Sequence, residues 1–161
     1  MTDATLPPSA QRVLDAAEAA GLTIDVREMP ASTRTAEEAA EACGTGVGQI
    51  VKSLVFRGRD SGAPYLLLVS GSNRVDEKAV AGQIGEKIER PDARYVREET
   101  GYAIGGIPPI GHRAGLAVFI DADLLAYDVV WAAAGTPQAV FSVDPAALKA
   151  ATGATVLAMR K

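Results

Sequence analysis

Lys52 interrupts an otherwise apolar run, Ile50-Val51-Lys52-Ser53-Leu54-Val55-Phe56. If the run is a strand, alternation puts Lys52 on one face with Ile50, Leu54 and Phe56, so a cation is aimed where apolar neighbours are expected. Two arrangements satisfy that pattern. Either the strand opens there on a cleft, where an ammonium could hold a phosphate or an oxyanion, or Lys52 snorkels at the sheet margin, stem buried and head in water.

The segment from Gly101 to His112, Gly-Tyr-Ala-Ile-Gly-Gly-Ile-Pro-Pro-Ile-Gly-His, packs four glycines and two consecutive prolines into twelve residues. Glycines let the backbone approach a ligand and expose amide donors, while prolines fix the loop shape. Such a loop can present preorganised N–H groups to a carbonyl or oxyanion; it can equally be a rigid connection. It is not a GxGxxG nucleotide fingerprint, because no strand runs straight into it and no helix follows. His112 closes the loop as an acid/base or RNA-contacting candidate, against the plainer reading of a surface histidine. Ser70-Gly-Ser-Asn-Arg74 sets small hydroxyls including that of Ser72, the Asn73 amide and the Arg74 guanidinium on one loop, a mix suited to phosphate or ribose or simply to a solvated turn. Gly135-Thr136-Pro137 has hairpin-turn residue types, with Thr136 a candidate for lining a pocket.

Other chemistries find little support. Cys43 is the one cysteine and His112 the one histidine, which disfavours a disulfide and zinc sites built on several His or Cys ligands. The expectation is no metal and no cofactor. A Ser-His-Asp grouping is not recognisable either, since the histidine has no nucleophile-elbow motif to partner it.

These residues must be held by elements that the pattern outlines. Ser9 can cap a helix carrying Val13, Leu14 and Ala17 on one face and ending at Gly21. Leu22 to Met29 alternates as a half-buried strand. Thr35 and Glu38 form a capping box for a short helix stopped by Gly44. Ile50 to Arg57 and Tyr65 to Ser70 read as a hairpin, the central pair of the sheet. Asp76 caps a helix to about Gln83, and Pro91 suits the first position of another ending before Gly101. Leu116 to Ile120 is a strand, Asp121 to Leu125 one helical turn, and Val129 to Ala134 with Ala139 to Val143 a second hairpin. Asp144-Pro145 opens a helix to about Ala151, and Ala154 to Met159 closes the chain as a strand. Helices and strands mix without strict βαβ alternation, which predicts an α+β class with a mixed, mainly antiparallel sheet.

Size and charge narrow the partners. The 161 residues suit one domain over 1–161, with 1–8 a flexible N-terminus. Apolar runs are far shorter than the roughly 20 residues of a membrane span, and the first ten residues lack a signal-peptide layout; the expectation is a cytoplasmic protein with no membrane partner. A net charge of −4 argues against coating DNA or RNA through bulk electrostatics. Yet residues 50–113 hold ten basic and eight acidic groups against three and eight in residues 1–49. The segment with the best motifs is thus locally positive and suited to contact with phosphate.

Four motifs in order, Ile50 to Phe56, Arg74-Val-Asp-Glu-Lys78, Thr100 to His112 and Ala134-Gly-Thr-Pro-Gln-Ala-Val-Phe141, resemble the YbaK/EbsC family over roughly residues 10 to 160. That family comprises the editing domain of bacterial prolyl-tRNA synthetases and free-standing relatives that deacylate mischarged tRNA. The resemblance implies a mixed, partly barrel-like sheet surrounded by helices. It makes Lys52 the required lysine at the tRNA end. Gly105 and Pro109 of the Gly-x-x-x-Pro element, with Gly106 and Gly111, become the loop that holds the aminoacyl group and positions water. Ser72, Arg74, Tyr102, Ile107, His112, Gly135 and Thr136 become candidate substrate contacts. The implied activity is hydrolysis of the ester of misacylated tRNA, a small amino acid on tRNA for proline, in trans. Bound water and a terminal ribose hydroxyl would take the place of a protein nucleophile. The implied partners are the aminoacyl-tRNA acceptor end and a synthetase that supplies tRNA selectivity. The alternative is a non-catalytic module that binds an aminoacyl or nucleotide ligand in the same cleft.

Overall fold

The computed structural model describes residues 6–112 and 115–160. Helix α1 (Pro8–Ala19) begins at Pro8, with Pro7 in the cap position and no side-chain cap. Ser9 therefore lies inside the first turn and does not cap it: a proline at the first position already has helical φ and lacks the N–H that a cap would satisfy. Of the N-terminal stretch expected to be flexible, residues 1–5 lie outside the described residues, and Pro8 is helical. Val13 and Ala17 of the expected face are fully buried, together with Ala10, while Leu14 is only half-buried at the edge of that face.

The strand expected over Leu22 to Met29 is shorter. Only β1 (Val26–Glu28) pairs, while Leu22 is buried and its N–H bonds back to the Ala17 carbonyl. The helix end thus claims the first residues of the alternating run. Helix α2 (Ala36–Cys43) has the predicted reciprocal capping box between Thr35 and Glu38 and ends at Gly44 in a left-handed conformation.

Strands β2 (Ile50–Gly58) and β3 (Pro64–Ser70) form the expected antiparallel hairpin, with Lys52 opposite Val69. Asp76 caps α3 (Glu77–Ile84). A two-residue strand β4 (Ile88–Glu89) follows. Helix α4 (Ala93–Thr100) is capped by Asp92, whose side chain accepts from Tyr95 N–H. Pro91 thus lies before the cap, because a carboxylate bonding two donors' distance into the first turn defines the helix start more strongly than a fixed φ. The remaining strands are β5 (Ala117–Asp121), β6 (Val130–Ala133), β7 (Ala139–Val143) and β8 (Thr155–Leu157), with α5 (Pro145–Thr152) between the last two.

The sheet runs β1-β7-β6-β2-β3-β5-β8, with β4 on β2 off this path. It is mixed: β2 with β6, β3 with β5 and β5 with β8 are parallel, the other pairs antiparallel. Its end strands β1 and β8 are not paired with each other, so the sheet stays open and does not close as a barrel. The hairpin at its centre divides the core. Val51 and Val55 face the largest cluster, with Leu66, Leu68 and the α1 side chains. On the opposite face Phe56, Leu67 and Val69 pack with Val80 of α3 and Met159, and Ile50 packs on Ala36, Ala39 and Ala40 of α2. Lys52 falls on that second face, between the two smaller clusters.

Candidate functional site

Strand β2 has an interrupted neighbour. On the edge away from β3 it pairs with β6 at Ile50 and Val51 and with β4 at Arg57 and Gly58; residues 52–56 between them have no strand partner there. Along the β3 side, Ile50 C=O accepts from Gly71 N–H and Gly58 N–H donates to Ala63 C=O. Antiparallel ladders alternate, so the even residues bond to β3, and Ser53 and Val55 turn their N–H and C=O groups to the open edge. A cleft of about 700 Å³ lies along that edge.

Its lining joins segments distant in sequence: Thr33 to Glu37 before and within α2, β2 itself, Arg90 and Pro91, Ile104, Gly105 and Ile107 of the glycine-rich loop, and Trp131 to Ala133 of β6. Arg34, Glu37, Lys52 and Arg90 are the charged groups among these lining residues. The Ser53 hydroxyl oxygen is buried there without a hydrogen-bond partner among the described residues. Burial costs such a group its water.

Lys52 is half-buried and donates from Nζ to the Asn73 carbonyl. Desolvation holds its pKa below the usual lysine value; Glu37 and Asp121 oppose that, and Arg74 and Arg90 add to it. One of three ammonium donors is committed to Asn73, and the side chain lines the cleft.

The glycine-rich loop presents one side to the cleft and is pinned on the other. Gly105 has φ +102°, a left-handed conformation that disfavours side chains. Among the described residues, no protein acceptor bonds the N–H of Gly105 or of Ile107, whereas Gly106 N–H bonds Ala103 C=O. Gly106 backs onto Thr136: a Cβ there would lie 2.7 Å from the Thr136 carbonyl carbon. The Thr136 hydroxyl accepts from Ala139 N–H at 3.0 Å, closing the β6–β7 turn, and Gly135 presses on the Ser9 backbone of α1.

Behind the loop, Tyr102 is 2% exposed and donates from its hydroxyl to Gly111 C=O at 2.8 Å. The Arg12 guanidinium lies 4.7 Å from its ring centroid. His112 stacks edge-on against Tyr102 and bonds Pro108 C=O through Nε2 at 2.7 Å. Burial pushes the His112 pKa down to about 4.

The structure thus brings Lys52, Gly105 and Ile107 together on the cleft. Gly106, Gly135 and Thr136 form the wall behind; Tyr102, Gly111 and His112 brace the loop against α1. Ser72 and Arg74 flank Asn73, with Arg74 close enough to act electrostatically on Lys52. Sequence reasoning passed over Arg34, Glu37, Ser53, Arg90 and Trp131, which are ordinary surface or strand residues until the fold gathers them; the Asn73 amide it did single out, within the Ser70 to Arg74 motif.

The cleft on the open edge of β2 is thus faced by Lys52 and by the glycine-rich loop. Residues 30–151 match the aminoacyl-tRNA editing domain, and the chain belongs to that family, the YbaK/EbsC type that the four motifs resemble. It is 32% identical over 121 residues to the uncharacterized protein YwhH of Bacillus subtilis, covering 75% of this chain and 76% of that one. It is 29% identical over 119 residues to EbsC of Enterococcus faecalis, described as a candidate Cys-tRNA(Pro)/Cys-tRNA(Cys) deacylase, covering 73% and 72%. A crystal structure described as a candidate trans-editing enzyme for prolyl-tRNA synthetase superposes with a TM-score of 0.91 at 51% identity, covering 98% of this chain and 99% of that one. Among the described residues, no helix is long and apolar enough to cross a membrane.

Proposed function

We propose that this chain hydrolyses the ester of misacylated tRNA, acting in trans on a small amino acid attached to tRNA for proline. The observation that carries the reading is the meeting at one cleft of the Lys52 side chain, the open β2 edge and the loop residues Gly105 and Ile107, whose N–H groups have no acceptor among the described residues. Lys52 holds a phosphate or ribose oxygen of the acceptor end. Water attacks the aminoacyl carbonyl carbon, and the loop amides stabilise the oxyanion that forms. The carbonyl then re-forms, the ester C–O bond breaks, and the ribose oxygen leaves with a proton. The neighbouring ribose hydroxyl orients the water, so no protein nucleophile is required. Pocket walls from Val55, Val96, Ile107, Ala132 and Val140 leave an apolar end fitted to a short side chain. Action in trans is supported by the full-length superposition on the candidate trans-editing enzyme, and the same likeness supports a synthetase as partner.

A panel of aminoacyl-tRNAs tests this directly. Hydrolysis of Ala-, Cys-, Ser- or Thr-tRNA for proline faster than in buffer is expected. No acceleration for any member, together with tight binding of a non-hydrolysable aminoacyl-adenosine analogue, would replace the hydrolase with a binding module.

A further inference from the structure

Asp121 ends β5, is 1% exposed and has no basic partner within ion-pair distance among the described residues. A carboxylate that deep must be compensated by donors. One oxygen, Oδ2, accepts from Ser70 N–H at 3.1 Å and from Asn73 Nδ2 at 2.9 Å. These are the first and last residues of a turn closed by Asn73 N–H donating to Ser70 C=O at 2.9 Å. The other, Oδ1, accepts from Asp123 N–H at 3.0 Å. Asn73 Nδ2 also reaches Asp123 Oδ2 at 2.7 Å. The carboxylate therefore grips both ends of the turn whose carbonyl, that of Asn73, takes the Lys52 ammonium.

We propose that Asp121 is a positioning residue for the editing reaction, acting through the Ser70–Asn73 turn to fix and charge-compensate Lys52 at the cleft. The Asn73 side chain is committed to the two carboxylates, and among the described residues the Asn73 carbonyl is the one hydrogen-bond acceptor of the Lys52 ammonium. Four charged groups act on Lys52: Glu37 from α2, Asp121 from β5, Arg74 from the segment after β3 and Arg90 from the segment after β4. Burial and both arginines favour the neutral amine; Asp121 and Glu37 favour the ammonium that the reaction needs.

The inference rests on the hydrolase reading for its purpose, so its test uses one readout that needs no substrate. Lys52 would be titrated by NMR in 13C-lysine-labelled protein, assigned by its absence from Lys52→Ala, in wild type and in Asp121→Asn. Single-turnover deacylation would be followed against pH in the same proteins. In Asp121→Asn the Lys52 midpoint is expected to fall. The alkaline limb of the rate profile should move to lower pH with it, and the plateau rate should drop on the order of 10-fold or more, since small misplacements are costly. If Asp121→Asn does not fold, Asn73→Ala removes the bridge while keeping the carbonyl and the buried carboxylate; because the Asp121 charge remains, the plateau rate is then expected to drop with the Lys52 midpoint little moved, and an unchanged plateau overturns the proposal. A folded Asp121→Asn protein whose Lys52 titrates as in wild type, with an unchanged pH profile, overturns it whatever its melting temperature. A wild type that edits nothing while the Lys52 midpoint shifts as expected would sink the hydrolase reading and support the network.

Discussion

Gly106 and Thr136, thirty residues apart, are in backbone contact, with room between them for a hydrogen and not for a methyl group: a Cβ on Gly106 would lie 2.7 Å from the Thr136 carbonyl carbon and 2.9 Å from its Cα. The φ of Gly106 is not positive, so the need for glycine is steric. Both sides of the contact are backbone and cannot rotate away. Gly106→Ala should push the loop off the β6–β7 turn, costing about 1–3 kcal/mol of stability and moving the Gly105 and Ile107 amides away from their cleft positions. Urea denaturation with single-turnover deacylation checks it. A variant with unchanged rate and stability would show that the contact does not set the loop.

Lys52 is the sharpest single test of the cleft. Removing a well-placed charge that acts on the reacting group is worth about 2–4 kcal/mol, roughly 30- to 1000-fold in rate. Lys52→Ala should therefore edit that much more slowly with little change in melting temperature. Lys52→Arg should not restore the rate fully, because a planar guanidinium cannot replace a compact ammonium at the Asn73 carbonyl without shifting its partners. Wild-type editing by a folded Lys52→Ala protein would take the residue out of the site.

Glu37 is the one carboxylate among the described lining residues of the cleft, and an aminoacyl ester carries an α-ammonium that needs an acceptor. The expected consequence is that wild type prefers a free aminoacyl-tRNA over its N-acetylated form by about 10-fold, the worth of one charge-assisted bond. Glu37→Gln should reduce that preference. Equal preference in the two proteins, measured as kcat/KM ratios, would assign the ammonium elsewhere.

His112 gives a pH signature of folding. Its Nε2–H is committed to Pro108 C=O, and its buried Nδ1 has no partner among the described residues to take a second proton. The folded pKa of about 4 lies below the ordinary 6.5, so the unfolded chain binds the extra proton first. Stability from this group is complete above pH 6.5 and is lost as pH falls toward 4, about 2 kcal/mol of it by pH 5. Denaturation of wild type and His112→Gln at pH 7.5 and 5 should show a smaller loss in the variant. Parallel losses would mean that His112 is not the titrating group.

Much of this was legible locally. The alternation of β2 placed Lys52 on the face of Ile50, Leu54 and Phe56, because strand geometry fixes side-chain direction residue by residue. The Thr35–Glu38 box, the Asp76 and Asp144 caps and both hairpins followed from bonds that close within a few residues. Where local signals competed, as at Ser9 against Pro8 or Pro91 against Asp92, the backbone constraint or the stronger cap won. Only the tertiary structure could show that β6 and β4 pair with the two ends of β2 and leave residues 52–56 open. The parallel β2–β6 pair and the antiparallel β2–β4 pair both join segments far apart in the chain, with no tight turn between them to signal the pairing. The same holds for Asp121 beneath Asn73, 48 residues away, and for Glu37 at the cleft: their residue types are commonplace in sequence, and their roles come from the packing of separate elements around one gap in the sheet.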